Sequence, residues 1–201
     1  MKVVIRHLAL FDFDGTITRK DTFVEIIRYR FGTFRLLTGM AIVSPILVAY
    51  KLKLIKNWRA KEIMFGHFFK GMTAEEFKRT GEAFAKEALP KLLRPSAIQK
   101  IKEHQAAGHD IYIVTASAAD WIKPWSDQFG FKILATCWET KDGVITGKIK
   151  GRNCYGPEKK VRILESIALP DYESISVYGD TSGDREMLTL ATHKYYRFFK
   201  D

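Results

Sequence analysis

The 201-residue chain is poor in several things, and each shortage removes a class of protein. It has only two cysteines, Cys137 and Cys154, too few for a disulfide framework; cytosolic usage reads them as two unpaired core thiols. The segment Met1 to Arg6 is too short, and too soon followed by Asp12, to be a signal peptide. Internal repeats and low-complexity linkers are lacking. The five histidines, His7, His67, His104, His109 and His193, show no metal-ligand spacing. The uncharged run Leu36 to Tyr50 is fifteen residues long, short of the roughly 20 that a membrane-spanning helix needs, and Pro45 within it is expected to kink it or divide it into a hairpin. Acid is missing from one place in particular. Between Ile26 and Lys61 there are eight Lys or Arg and no Asp or Glu, so that of the net charge of +10 only +2 belongs to the rest of the chain.

What is present is a globular composition, 46% hydrophobic and 28% charged, in a chain long enough for one well-buried α/β domain with a small insertion. Leu8 to Phe13, Asp110 to Val114 and Ile175 to Tyr178 read as short buried strands, with Lys132 to Ala135 and Tyr195 to Phe198 as weaker ones. Helical patterns separate them: Ser96 to Ala107, Ala118 to Phe129, Pro157 to Ala168 and Ser182 to Ala191. Alternating strands and helices imply a Rossmann-like parallel sheet with helices on both faces. Val144 to Ile149, after Lys141-Asp142-Gly143, adds a hairpin. From about Thr18 to Leu93 the alternation stops and the pattern is wholly helical. The expected division is therefore a core of residues 1–17 and 94–201 and a helical cap of residues 18–93, inserted after the first strand.

Ligands of such sheets bind beyond the carboxyl ends of the strands. The first strand ends in Asp12-Phe13-Asp14-Gly15-Thr16, the second in Thr115-Ala116-Ser117, and the late one in Gly179-Asp180-Thr181-Ser182-Gly183-Asp184. Pro157-Glu158-Lys159-Lys160 opens the helix that precedes the last of these. Taken singly these residues have plain structural readings. The aspartates suit turns and helix caps, Ser117 an N-cap, and Lys160 a solvated helix face. Together, four carboxylates, two or three hydroxyls and a lysine on one sheet edge suit a phosphoryl group held with Mg²⁺. Trp121 and Trp125, four residues apart, read as packing.

In this order and rough spacing, these residues resemble the four motifs of the haloacid-dehalogenase-like phosphatases, over nearly the whole chain. The resemblance implies a Mg²⁺-dependent phosphomonoester hydrolase that forms an aspartyl-phosphate. It makes Asp12 the nucleophile and Asp14 the general acid and base. Asp12, Asp180 and the main-chain carbonyl of Asp14 would hold Mg²⁺, with Asp184 in support. Thr115 or Ser117 and Lys160 would bind phosphate. Thr115 is preferred because it ends the strand, and Lys160 over Lys159 because Val161 and Leu164 follow it at the family's spacing. A phosphomutase would use the same intermediate. A phospho-accepting signalling domain would lack the large cap.

The insertion point and helical cap are similar to the phosphoserine phosphatase and phosphatidylglycerophosphatase-like branch of that superfamily. Phe65 stands where that branch's phosphoserine enzymes place a carboxylate-binding arginine, which argues against phosphoserine as substrate. A small phosphorylated metabolite or a phospholipid head group remains. The basic residues of 28–61 flank an apolar stretch instead of lining a groove, which disfavours nucleic acid. That segment is either an apolar cap or subunit interface ringed with lysine, or a contact with an anionic membrane surface. The expected location is cytoplasmic, peripheral at the inner face of the membrane in the second case.

Overall fold

The computed structural model describes residues 5–201. Its centre is β1 (His7–Phe11), which pairs in parallel with β2 (Asp110–Ala118) on one side and β5 (Ser174–Gly179) on the other. With β3 (Lys132–Lys141), β4 (Val144–Lys150) and β6 (His193–Tyr196) they form one sheet in the order β4-β3-β2-β1-β5-β6. Every neighbouring pair is parallel except β3 and β4, joined by a tight hairpin in which Asp142 and Gly143 both have positive φ (49° and 74°). β1 is apolar throughout its centre because both faces are covered. Ala9 and Phe11 enter one buried cluster, Leu8 and Leu10 the other, as the twofold alternation of a strand requires. The covering helices are α4 (Pro95–Ala106), α5 (Ala119–Ser126), α6 (Pro157–Ser166) and α7 (Arg185–Leu188).

Between β1 and α4 lies a wholly helical insert: α1 (Thr22–Lys51), α2 (Asn57–Phe69), α3 (Ala74–Glu87) and a short 3-10 turn, Leu89–Leu92. The chain leaves and rejoins the core side by side. Thr18 bridges Leu93, the Arg19 amide donates to the Leu92 carbonyl (2.8 Å), and the Arg94 amide donates to the Ile17 carbonyl (2.8 Å). The insert is fixed to the β3–β4 hairpin as well. The Ala74 amide donates to the Gly143 carbonyl, the Ile149 amide donates to the buried Glu62 carboxylate (3.0 Å), and the buried Phe65 ring stacks flat on Trp138.

Two sequence expectations need correction here. The uncharged run neither divides into a hairpin nor breaks at Pro45, for α1 continues to Lys51. The carbonyl of Ala41, which loses its helical donor to the proline ring, accepts the Ser44 hydroxyl instead (2.7 Å). The break falls at Gly32 (φ 80°, ψ 164°), a conformation that only glycine adopts without strain. Both cysteines are free, but only Cys154 is buried; Cys137 is on the exposed side of β3, between the buried Thr136 and Trp138.

Candidate active site

The parallel register decides what meets at the sheet edge. Phe11 lies opposite Tyr178, and the Asp12 amide donates to the Tyr178 carbonyl (2.9 Å), so the chain beyond β1 and the chain beyond β5 emerge together. Asp12, Asp180 and Asp184 accordingly bring carboxylate oxygens within 4.8 Å of one another. The Gly15 turn permits this. Its φ is +84°, and a Cβ there would lie 2.2 Å from an Asp180 oxygen. Thr16 donates its hydroxyl to Asp180 (3.2 Å). Asp184 holds the β5 turn in place: one oxygen accepts from the Asp180 and Thr181 amides (3.1 and 3.0 Å), the other from Lys159 (2.6 Å).

Lys159 is the cation of this cluster. Its ammonium is buried and lies 2.5 Å from Asp12 and 2.6 Å from Asp184. Burial opposes its charge, but the two carboxylates overcome burial and hold the ammonium above the ordinary lysine range. Burial also pushes the Asp12 carboxyl well up from its ordinary value; Lys159 pulls it back and Asp184 pushes it up again. Asp180 is raised, by burial first and then by Asp184. Three carboxylates against one ammonium leave two negative charges in excess. An all-oxygen donor set with that surplus fits a hard divalent cation such as Mg²⁺.

Asp14 turns away from this cluster. One of its oxygens accepts from the Thr22 amide (2.7 Å) and hydroxyl (2.6 Å), the other from the Ser117 hydroxyl (2.6 Å). Trp121 donates its ring N–H to the Thr22 hydroxyl (3.1 Å), so this tryptophan packs and also fixes α1 to the site. Asp14 thus sits where the insert meets the core.

The structure corrects two expectations. Lys160 lies on the exposed side of α6 and bonds the Thr189 hydroxyl (3.1 Å); Lys159, one residue earlier, faces inward together with Ile163. The spacing of Lys159 and Ile163, four residues apart on one helical face, was the available signal. Thr115 is fully buried, and its hydroxyl accepts the Ser117 amide (3.0 Å). β2 does not end there. It continues to Ala118 through an irregularity in register between Thr115 and Ala118, and Ser117, not Thr115, faces the cavity.

The cavity above these groups measures about 320 Å³. Its floor is Asp12, Ser117, Lys159 and Asp184; its roof comes from the insert, with Phe23, Leu47, Tyr50, Asn57, Lys61 and Met64. In the sequence Lys61 is one more member of a basic run. In the structure its ammonium donates to the Ala116 carbonyl and lies 5.7 Å from the centre of the Phe23 ring. Burial lowers its pKa, while Asp21 and Asp14 act to keep it charged. Asp21, which caps α1, is itself pushed up to about 6 by burial and by Asp14. Phe65 does not line the cavity; it belongs to the aromatic packing beneath the roof.

A parallel α/β sheet with carboxylates and an ammonium at its carboxyl edge, roofed by helices inserted after the first strand, defines a class of hydrolase. The chain belongs to the haloacid dehalogenase-like hydrolase family, whose family model matches residues 9–189. It is 36% identical over 197 residues to the protein CicA of Caulobacter vibrioides, covering 96% of this chain and 86% of CicA. A crystal structure of a Bordetella pertussis protein of unknown function superposes with a TM-score of 0.81 at 26% identity, over 95% of this chain and 89% of that one. A phosphoserine phosphatase solved as a phospho-aspartyl intermediate analogue has the same fold, with a TM-score of 0.63 at 20% identity, over 95% of this chain and 86% of that one.

Proposed function

We propose that the chain is a Mg²⁺-dependent phosphomonoester hydrolase that works through an aspartyl-phosphate. The observation that carries this reading is the set of buried Asp12, Asp184 and Lys159 at the floor of the cavity with half-buried Asp180 beside them, which together carry two surplus negative charges. Residues 18–93 serve as the cover and 1–17 with 94–201 as the catalytic core. Asp12, Asp180 and the main-chain carbonyl of Asp14 hold the metal, and Asp184 supports them. Bound there, Mg²⁺ supplies charge neutralisation between the phosphoryl oxygens and the attacking carboxylate.

An Asp12 oxygen attacks phosphorus, the bond from phosphorus to the ester oxygen breaks, and Asp14 gives a proton to the departing alkoxide. Asp14 then takes a proton from water, the resulting hydroxyl attacks phosphorus, and the bond to Asp12 breaks to release inorganic phosphate. Ser117 and Lys159 hold phosphoryl oxygens, which is why Lys159 must stay charged. The substrate is a small phosphorylated metabolite or a phosphorylated lipid head group. The position of Phe65, buried against Trp138, supports a substrate other than phosphoserine. Two free thiols fit a cytoplasmic location.

Turnover of p-nitrophenyl phosphate with and without Mg²⁺ tests the reading. Asp12→Asn is expected to abolish turnover while the far-UV circular dichroism and the melting curve remain those of a folded protein. Turnover retained by Asp12→Asn would remove Asp12 as the nucleophile.

A further inference from the structure

Helix α1 has two apolar sides, and the fold uses one of them. At 100° per residue, Leu36, Gly39 and Val43 share a side and are buried; Gly39 lies directly against Phe68 of α2. The opposite side carries Phe34, Leu37, Ala41, Pro45, Val48 and Leu52 at intervals of three and four residues, every one of them exposed. Phe34 is 80% exposed, Leu37 62%, Val48 54% and Leu52 65%. A surface helix ordinarily puts charge on that side, and between Leu36 and Tyr50 this one has none. The stripe is about 27 Å long at 1.5 Å per residue.

Cations sit at its two ends. Arg28, Arg30 and Arg59 are paired with Glu25, Glu76 and Glu62. Arg35 at one end, and Lys51, Lys53 and Lys56 at the other, have no acidic group within 4.0 Å among the described residues. Leu54 and Trp58, 74% and 44% exposed, extend the apolar surface between and beyond these lysines.

We propose that this side of α1, with the turn that follows it, is a docking surface for an anionic lipid bilayer, on which the helix lies flat at the level of the head groups. Three features favour lipid over other occupants. A second copy of the chain would meet the stripe across a twofold axis and set unpaired cations against their own kind. The stripe is a ridge of apolar groups without the anchor-filled pocket that concentrates binding energy in protein interfaces. A bilayer receives such a ridge in its interface while its anionic head groups meet the lysines. α1 is also long and apolar enough to cross a membrane by length and composition alone. It lies on the surface instead, because its inner side is packed on α2 and its first residue, Thr22, is bonded to Asp14. The surface is separate from the catalytic groups, but Leu47 and Tyr50 of the cavity roof sit in the same turns as Val48 and Lys51.

Flotation of the full chain with vesicles of phosphatidylcholine alone, and of phosphatidylcholine with phosphatidylglycerol, tests the proposal. The chain is expected to float with the anionic vesicles, to stay down with the neutral ones, and to be released by high salt. Each lysine near an anionic surface is worth about fivefold in binding, so Lys51→Glu with Lys53→Glu and Lys56→Glu, which also adds repulsion, should weaken it by about a hundredfold or more. Phe34→Ser with Leu37→Ser and Val48→Ser, which leaves the lysines in place, should abolish it. Turnover of a soluble ester is measured for each variant and should match the parent, which separates this surface from the catalytic reading. The proposal is overturned if the parent ignores anionic vesicles, binds both kinds equally, or keeps its binding in either variant. It is also overturned if the protein resists extraction by salt and alkali, which would mean a spanning helix. A concentration-dependent dimer lost on Phe34→Ser, without vesicle binding, would overturn it in favour of a second copy.

Discussion

Replacing Lys159 with methionine would remove the one cation among three carboxylates while nearly conserving its volume. The ammonium lies 2.5 Å from Asp12 and 2.6 Å from Asp184, and both pairs are almost wholly out of water. Breaking a buried pair by deleting one partner costs about 3–5 kcal/mol, because the remaining charge has neither water nor counterion. Here two partners are orphaned, and Asp180 is held beside them. Against a domain stability of about 5–15 kcal/mol, that is about a fifth of the total or more. The loss should depend on metal. At the proposed metal site, Mg²⁺ at a hundred times its dissociation constant would add about 2.7 kcal/mol to the parent; in Lys159→Met it would meet one more unbalanced charge and should recover a larger share. Urea unfolding followed by tryptophan fluorescence, in EDTA and in Mg²⁺, measures both quantities. Lys160→Met is the control. Its ammonium bonds the exposed Thr189 hydroxyl, and its loss should fall within about 0.5 kcal/mol. If Lys159→Met unfolds with the parent in EDTA, or if Lys160→Met costs more, the assignment of the site cation is wrong.

Two further predictions concern the packing and the opposite end of the sheet. Phe65→Ala removes a fully buried ring stacked on Trp138 and should cost about 3–5 kcal/mol in urea unfolding, with little effect on the affinity for a soluble ester because Phe65 does not line the cavity. A near-normal stability would mean that the insert is not anchored there. His104, bonded to His109 (2.8 Å) and to the Tyr178 hydroxyl (2.9 Å), has its pKa lowered to about 4, by burial first and then by His109. A group held neutral in the folded state contributes stability above its unfolded value of 6.5, and this is lost as pH falls from there toward 4. With partial solvent access the loss should be about 2 kcal/mol, read as the difference in pH slope between the parent and His104→Gln. An unchanged slope would refute it.

The sheet was legible from the chain because its strands are short, apolar and bounded by helices with clear starts and stops, and the hairpin because Asp142-Gly143 permits one turn geometry. The residues of the sheet edge were legible for the same reason: a parallel strand's carboxyl end is where its polar residues begin. The errors lie where one residue changes a direction. Lys159 and Lys160 differ by 100° around α6, and the direction is set by how Pro157 starts the helix against the sheet. Thr115 and Ser117 would share a face in a regular strand, and the irregularity that parts them depends on the pairing of β2 with β3, far away in sequence. Pro45 suggested a break, but a serine hydroxyl one residue before it serves the orphaned carbonyl. Lys61 stood among seven similar cations, and only the folding of α2 over the core singles it out.

The pairing of Thr18 with Leu93 carries a consequence for how such a chain can change. Because the two strands of the connection lie against each other, the core holds the helical insert as a loop whose ends are already closed, and closing a longer or shorter one costs little more. Helices of another length or polarity could hang from the same pair of backbone hydrogen bonds without altering the strand order or the carboxylates below. The groups at the floor and the helices above them can therefore change separately, and the α1 surface can be rewritten while Asp12 and Lys159 keep their places.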